Sequence, residues 1–113
     1  MTITNHNIVK QGPPRRFISG RPVSPGEVLH EEFLAELGLS QRALAAAIRV
    51  PPIRVSEIVR GKRAITVDTA LRLAIYFGTT PELWLNLQAQ WDLSLLKAAR
   101  REDYALIPRM RSS

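Results

Sequence analysis

The sequence predicts an all-α domain of five helices with a basic stretch at either end. Three observations carry that prediction. Apolar residues between 25 and 98 recur at spacings of three and four, and no run alternates as a strand would. Ser24, Ser40, Thr66 and Thr80 stand where helix-capping hydroxyls belong, and prolines follow two of them at 25 and 81. Glycines at 38, 61 and 78 then mark helix ends, leaving short connections.

In chain order, residues 1–22 show little periodicity, a Gly-Pro-Pro break at 12–14, and Gly20 and Pro22 near the end. They read as a flexible basic arm. Helix 1 is expected from Pro25 to about Leu37, opened by Ser24-Pro25-Gly26-Glu27, a capping box with proline at the first helical position. Val28, Leu29, Phe33 and Leu37 form its core stripe, with Leu34 at the margin, and its acids lie on the outer face.

The chain's organising stretch is SQRALAAAIRVPPIRVSEIVRG at 40–61. Ser40 caps helix 2, on which Leu44, Ala45 and Ile48 recur at helical spacing. The small Ala45 lets another helix cross within roughly 8–10 Å. A break at Arg49-Val50 precedes Pro51-Pro52, which opens helix 3. Val55, Ile58 and Val59 bury that helix, and Gly61 ends it in a left-handed conformation. Two short helices held at a fixed angle, with Arg54, Ser56, Glu57 and Arg60 off the buried stripe, have the logic of a helix-turn-helix. Alanine-rich helical hairpins also occur in bundles that bind no DNA.

Thr66 caps helix 4, Val67–Phe77, with Ala70, Leu71, Leu73, Ala74 and Phe77 as its core stripe. Thr80-Pro81-Glu82 starts helix 5, which runs to about Ala98 with Leu83, Trp84, Leu87, Trp91, Leu95 and Leu96 along one side. The sequence after it, through Pro108, loses the helical pattern. The organisation expected is therefore an arm at 1–22, a helix-turn-helix domain at 23–98 with a dimerising last helix, and a basic tail at 99–113.

The chain has 113 residues and a net charge of +6. The excess is +4 over 1–22 and +3 over 97–113, while 23–96 carries −1. That body is polarised. Glu27, Glu31, Glu32 and Glu36 crowd helix 1, whereas Arg42, Arg49, Arg54, Arg60, Lys62 and Arg63 crowd the motif. A basic face on a neutral body is the electrostatic footprint of nucleic-acid binding, although a solvated charged surface gives the same count.

Several classes are excluded. Zero cysteines rule out a disulfide scaffold, a thiolate zinc finger and a cysteine nucleophile. His30 is the body's one histidine and has no second metal ligand spaced beside it. No glycine loop cradles phosphate, so neither an enzyme, a cofactor, a metal nor a small-molecule substrate is expected. No apolar run approaches the ~20 residues that span a bilayer, and the first residues lack the apolar core of a signal peptide. A cytoplasmic protein with no membrane partner is expected.

The residues assigned to DNA are Gln41, Arg42, Pro52, Arg54, Ser56, Arg60, Lys62 and Arg63. Gln41 follows the cap of helix 2, where a helix start can meet phosphate. Arg54 is the candidate base reader, because arginine pairs bidentately with guanine. Ser56 and Pro52 are secondary readers, the proline through a thymine methyl. Arg60, Lys62 and Arg63 suit the phosphate backbone and set affinity rather than sequence. Trp84, Leu87, Trp91 and Leu95 are the candidate dimerisation residues, since an apolar stripe on a terminal helix often marks an interface.

SPGEVLHEEFL at 24–34, LSQ-x-x-LA at 39–45, PP-x-R-x-SEIV-x-GKR at 51–63 and IT-x-DTALRLA-x-YFGTTPELWLNLQ at 65–88 resemble the HigA antitoxin family, within the Xre/Cro-repressor-like group. The resemblance covers about 24–92. It implies a five-helix domain that dimerises, binds an operator in its own promoter and neutralises a HigB-type toxin, a RelE-like ribonuclease that cleaves mRNA on the ribosome. By position it puts Gln41, Pro52, Arg54, Lys62 and Arg63 at the DNA, and it leaves toxin-contacting residues unassigned. Two positions depart from the family pattern. Arg49 stands where the turn glycine is usual, at a cost of roughly 1 kcal/mol if left-handed, and Ile53 replaces a polar or basic residue at the start of the reading helix. Two other readings are a stand-alone Xre-type repressor without a toxin and a protein-interaction module whose motif is only a scaffold.

Overall fold

A computed structural model describes residues 22–111, and all regular structure among them is helical. Helix α1 is α-helical over Pro25–Val28, π-helical over Leu29–Leu34 and α-helical again over Ala35–Leu37. It is followed by α2 (Gln41–Ile48), α3 (Pro52–Val59), α4 (Val67–Phe77), α5 (Pro81–Ala99) and a short α6 (Arg101–Ala105). The expected arm at 1–22 lies almost wholly outside the described residues.

The expected punctuation is realised atom by atom. Ser24, Ser40, Thr66 and Thr80 each accept a hydrogen bond from the backbone N–H three residues on, at 3.0–3.3 Å. At the helix ends, Leu39 N–H donates to Leu34 O, Val50 to Ala45 O, Lys62 to Glu57 O and Thr79 to Ala74 O. These are the six-residue closures of Schellman caps. Gly38, Gly61 and Gly78 supply the positive φ at three of them. At the fourth the residue is Arg49, held at φ 64°. The turn of the motif is thus left-handed at a non-glycine residue.

The π segment of α1 was not legible. Val28, Leu29, Phe33 and Leu34 are all buried, and a five-residue separation lies about 140° apart on an α-helix. Widening the helix so that Ala35 N–H reaches His30 O brings those pairs onto one face. Leu34, expected at the margin, is therefore core at 3% exposure.

The core gathers from every long helix. Phe33, Phe77 and Trp84 form its centre, with ring centroids 4.8, 4.9 and 6.2 Å apart. Helix α2 packs on α3 and α4, α4 on α5, and α1 crosses both α3 and α5. Leu71, expected in the stripe of α4, instead faces out, as do Val67 and Ile75 four residues either side. The buried face of α4 is Thr69, Ala70, Leu73, Ala74 and Phe77. Helix α5 is 19 residues long and outruns the body it packs on. Leu87 is its last buried residue.

The end of the chain is also more helical than expected. Arg101–Ala105 forms α6, with Glu102 and Asp103 in its first turn where the helix start favours acids. No helix among the described residues is long and apolar enough to cross a membrane.

Candidate nucleic-acid interface

Helix α3 sets the geometry. Pro51 is its N-cap in extended conformation and Pro52 its first helical residue, so the missing proline N–H groups cost no helical bond. Val55 and Ile58 anchor it in the core. The opposite side carries Ile53, exposed at 55%, along with Pro51 and Pro52. This apolar tip includes one residue, Ile53, that the sequence had marked only as a departure from the pattern.

Arg54 does not stand on the outermost side of α3. One position before buried Val55, it lies at the edge of the buried stripe and turns towards α4. There Arg54 Nη1 comes within 3.5 Å of Asp68 Oδ2. The same Asp68 oxygen accepts from Arg72 Nε at 2.9 Å, and Arg72 Nη1 donates to the carbonyl of Ile48 at 2.9 Å. The first turns of α4 thereby connect the end of α2 to the start of α3. Sequence reasoning missed Asp68 and Arg72. Their spacing of four was visible, but the partners of each lie 14 and 24 residues away.

The remaining candidates divide in two groups. Gln41 is half-buried and Arg42 exposed on the first turn of α2, beside a helix start whose N–H groups favour anions. Beyond Arg54, Ser56 is half-buried on α3, Arg60 is exposed with its Nε directed back to Ser56 O at 3.4 Å, and Lys62 is exposed in the loop. Arg63 is engaged: its Nε and Nη2 both lie 2.8 Å from Glu57 Oε1. An exposed pair of this kind is worth about 0–1 kcal/mol, little enough for a phosphate to displace. The loop bearing these cations is tied down where Ile65 N–H donates to Gln88 Oε1 at 2.8 Å, a role for α5 that the sequence did not suggest.

The four candidate dimerisation residues separate cleanly. Trp84 is 0% and Leu87 2% exposed, both inside the protein's own core, with Trp84 Nε1–H donating to Thr79 Oγ1 at 2.9 Å. Trp91 is half-buried and Leu95 is 50% exposed. The apolar stripe read along α5 therefore has an inner half that closes the monomer and an outer half, with Leu93 and Leu96, open to solvent. Among the described residues, no cluster of three or more metal-ligating side chains forms.

Comparison with known proteins matches residues 31–84 to a helix-turn-helix family model. Virulence-associated protein I of Dichelobacter nodosus is 48% identical over 86 residues, covering 76% of this chain and 80% of the relative. Antitoxin HigA-1 of Vibrio cholerae is 45% identical over 73 residues, covering 65% of this chain and 69% of the relative. The solved structure of Pseudomonas aeruginosa antitoxin HigA with the higBA promoter superposes with a TM-score of 0.77 at 40% identity. It covers 80% of this chain and the whole of that one.

Proposed function

This chain belongs to the HigA antitoxin family of Xre-type helix-turn-helix proteins, and from that membership we propose that it neutralises a HigB-like mRNA ribonuclease and represses its own operon. The observation that carries the reading is the likeness, over the described body, to an antitoxin solved with its promoter. In support, the first turn of α3 carries exposed Pro52 and Ile53 with half-buried Arg54 beside them, and in a helix-turn-helix the early residues of the second helix are the ones that read bases. Gln41 and Arg42 at the start of α2, together with Arg60, Lys62 and Arg63 after α3, supply the cations and helix-start donors that hold phosphate. Two copies on paired half-sites would meet through the outer half of α5, at Trp91, Leu93, Leu95 and Leu96. The chain's work is done in the cytoplasm, on operator DNA and a protein partner, without catalysis.

The test is growth on co-expression with each small neighbouring reading frame. A neighbour that arrests growth alone, is relieved by this chain and co-purifies with it establishes the antitoxin. No toxic or bound neighbour leaves a stand-alone repressor.

The DNA roles make a separate prediction. Arg54→Ala should cost roughly 1–3 kcal/mol of operator affinity and relax preference at one base position. Lys62→Ala should weaken all sequences alike and lower the salt slope by about one phosphate contact. Titrations across an operator-variant panel at several salt concentrations would read both. A change in base preference in the Lys62 variant would overturn the division of roles.

A further inference from the structure

We propose that Asp68 is a positioning residue for sequence reading, holding the Arg54 guanidinium by Nη1 so that its other edge meets the base. The inference rests on the assignment of Arg54 as the base reader. An arginine side chain has many rotamers, and one that must read a base edge gains specificity when a neighbour fixes its orientation before DNA arrives. Asp68 is built for that. Its Oδ2 lies 3.5 Å from Arg54 Nη1 and 2.9 Å from Arg72 Nε. Arg72 is itself held, since its Nη1 donates to the carbonyls of Ile48 at 2.9 Å and Arg49 at 3.4 Å. The carboxylate's place is thus fixed by the end of α2 and the first turns of α4.

The choice of nitrogen matters. Nη1 lies on the side of the guanidinium nearer Cδ, so an ion pair on that side leaves Nε–H and one Nη2–H free as a parallel pair. Two parallel donors are what the O6 and N7 acceptors of guanine require. With 30% of the Arg54 side chain and 59% of the Asp68 side chain exposed, the pair is open to DNA. The acidic side chain contributes no attraction for phosphate of its own. Its value lies in discrimination rather than affinity.

The experiment uses the full chain and a panel of operators varied at the base pair that Arg54→Ala shows to be read. Variants are Asp68→Asn, which keeps the shape and removes the charge, Asp68→Ser, Asp68→Glu, Arg54→Ala, and the Arg54→Ala/Asp68→Asn double variant. Thermal melting checks each fold, so that a variant that does not fold is replaced by its partner. The expected result is a loss of discrimination at that base pair by about 5- to 10-fold in Asp68→Asn and Asp68→Ser. Affinity for unrelated DNA should hold or rise, because a negative charge has gone. Asp68→Glu should recover part of the discrimination. Removing Asp68 from the Arg54→Ala background should change base preference no further. A merely structural role for Asp68 would lower melting temperature and leave base preference as it was, which overturns the proposal. So would a gain in discrimination, which would mean that Asp68 restrains Arg54 from the DNA. If Arg54→Ala itself leaves every base preference intact, it is the base-reader assignment that fails.

Discussion

Gly26→Ala is expected to lose about 3 kcal/mol of folding stability or more, from the addition of one methyl group. A Cβ built at this position would lie 1.8 Å from the carbonyl oxygen of Ile58, 2.8 Å from its carbon and 2.9 Å from the Cα of Val59. All three are backbone atoms of α3, so no side-chain rotation makes room. The first turn of α1 must instead move away from the last turn of α3, opening the core between Val28, Val55 and Ile58, which are now 1–3% exposed. Overpacking of this kind costs typically 1–3 kcal/mol and more where backbone obstructs backbone. The opposing gain, alanine's better helix propensity, is at most about 1 kcal/mol. Sterics win. Urea unfolding measures the effect, and Gly78→Ala is the comparison. Gly78 has φ 76° and open space around its would-be Cβ, so only the left-handed strain of roughly 1–2 kcal/mol applies there. If Gly26→Ala were the milder of the two, α1 and α3 would not approach as closely as described.

That contact also bears on the interface. Arg60 caps the end of α3 and Lys62 follows it, so a displacement of the last turn of α3 moves with it the cations proposed to meet phosphate. The same glycine that permits close packing sets where the basic loop sits. Gln88 fixes the loop from the other side through Ile65. The basic loop, with its exposed side chains, is in this way built on a backbone held at both ends.

How much of this was legible depended on the range of the interaction. The caps at Ser24, Ser40, Thr66 and Thr80 are decided within three residues, and so are the left-handed closures at Gly38, Gly61 and Gly78. These could be read directly, and the helix bounds they predict hold to within a residue or so. Even the awkward closure at Arg49 was visible, because the family resemblance puts the turn glycine at that position and the structure holds Arg49 there at φ 64°. The π segment was hidden because helical spacing was assumed to be uniform; only the joint burial of pairs five apart reveals it. The environment of Arg54 was hidden for another reason. Its side chain turns to Asp68, on a different helix, and a charged residue looks the same in sequence whether it faces solvent or a partner. The division of α5 into an inner and an outer half was equally out of reach, since an apolar stripe along a helix does not say where the body beneath it ends.

Trp84→Ala should remove about 3–5 kcal/mol, a large share of the roughly 5–15 kcal/mol that holds a domain of this kind folded. The side chain has no exposed surface, and its ring centroid lies 4.9 Å from that of Phe33 and 6.2 Å from that of Phe77. Truncation would leave a cavity where α1, α4 and α5 meet and would strip the indole N–H from Thr79 Oγ1. Leu95→Glu should do the reverse. At 50% exposure on the outer half of α5, it removes little from the monomer core, so stability at high dilution should stay within about 0.5 kcal/mol of the parent. Self-association, however, should be lost, because two buried carboxylates would face each other across the proposed interface. Chemical unfolding over a range of protein concentrations, with sedimentation of the native proteins, separates the two effects. Trp84→Ala should remain destabilised at every concentration, whereas Leu95→Glu should sediment as a monomer that still folds. A Leu95→Glu protein that sediments like the parent would place the dimer elsewhere. The exposed row of Val67, Leu71 and Ile75 on α4 would then be the next surface to alter.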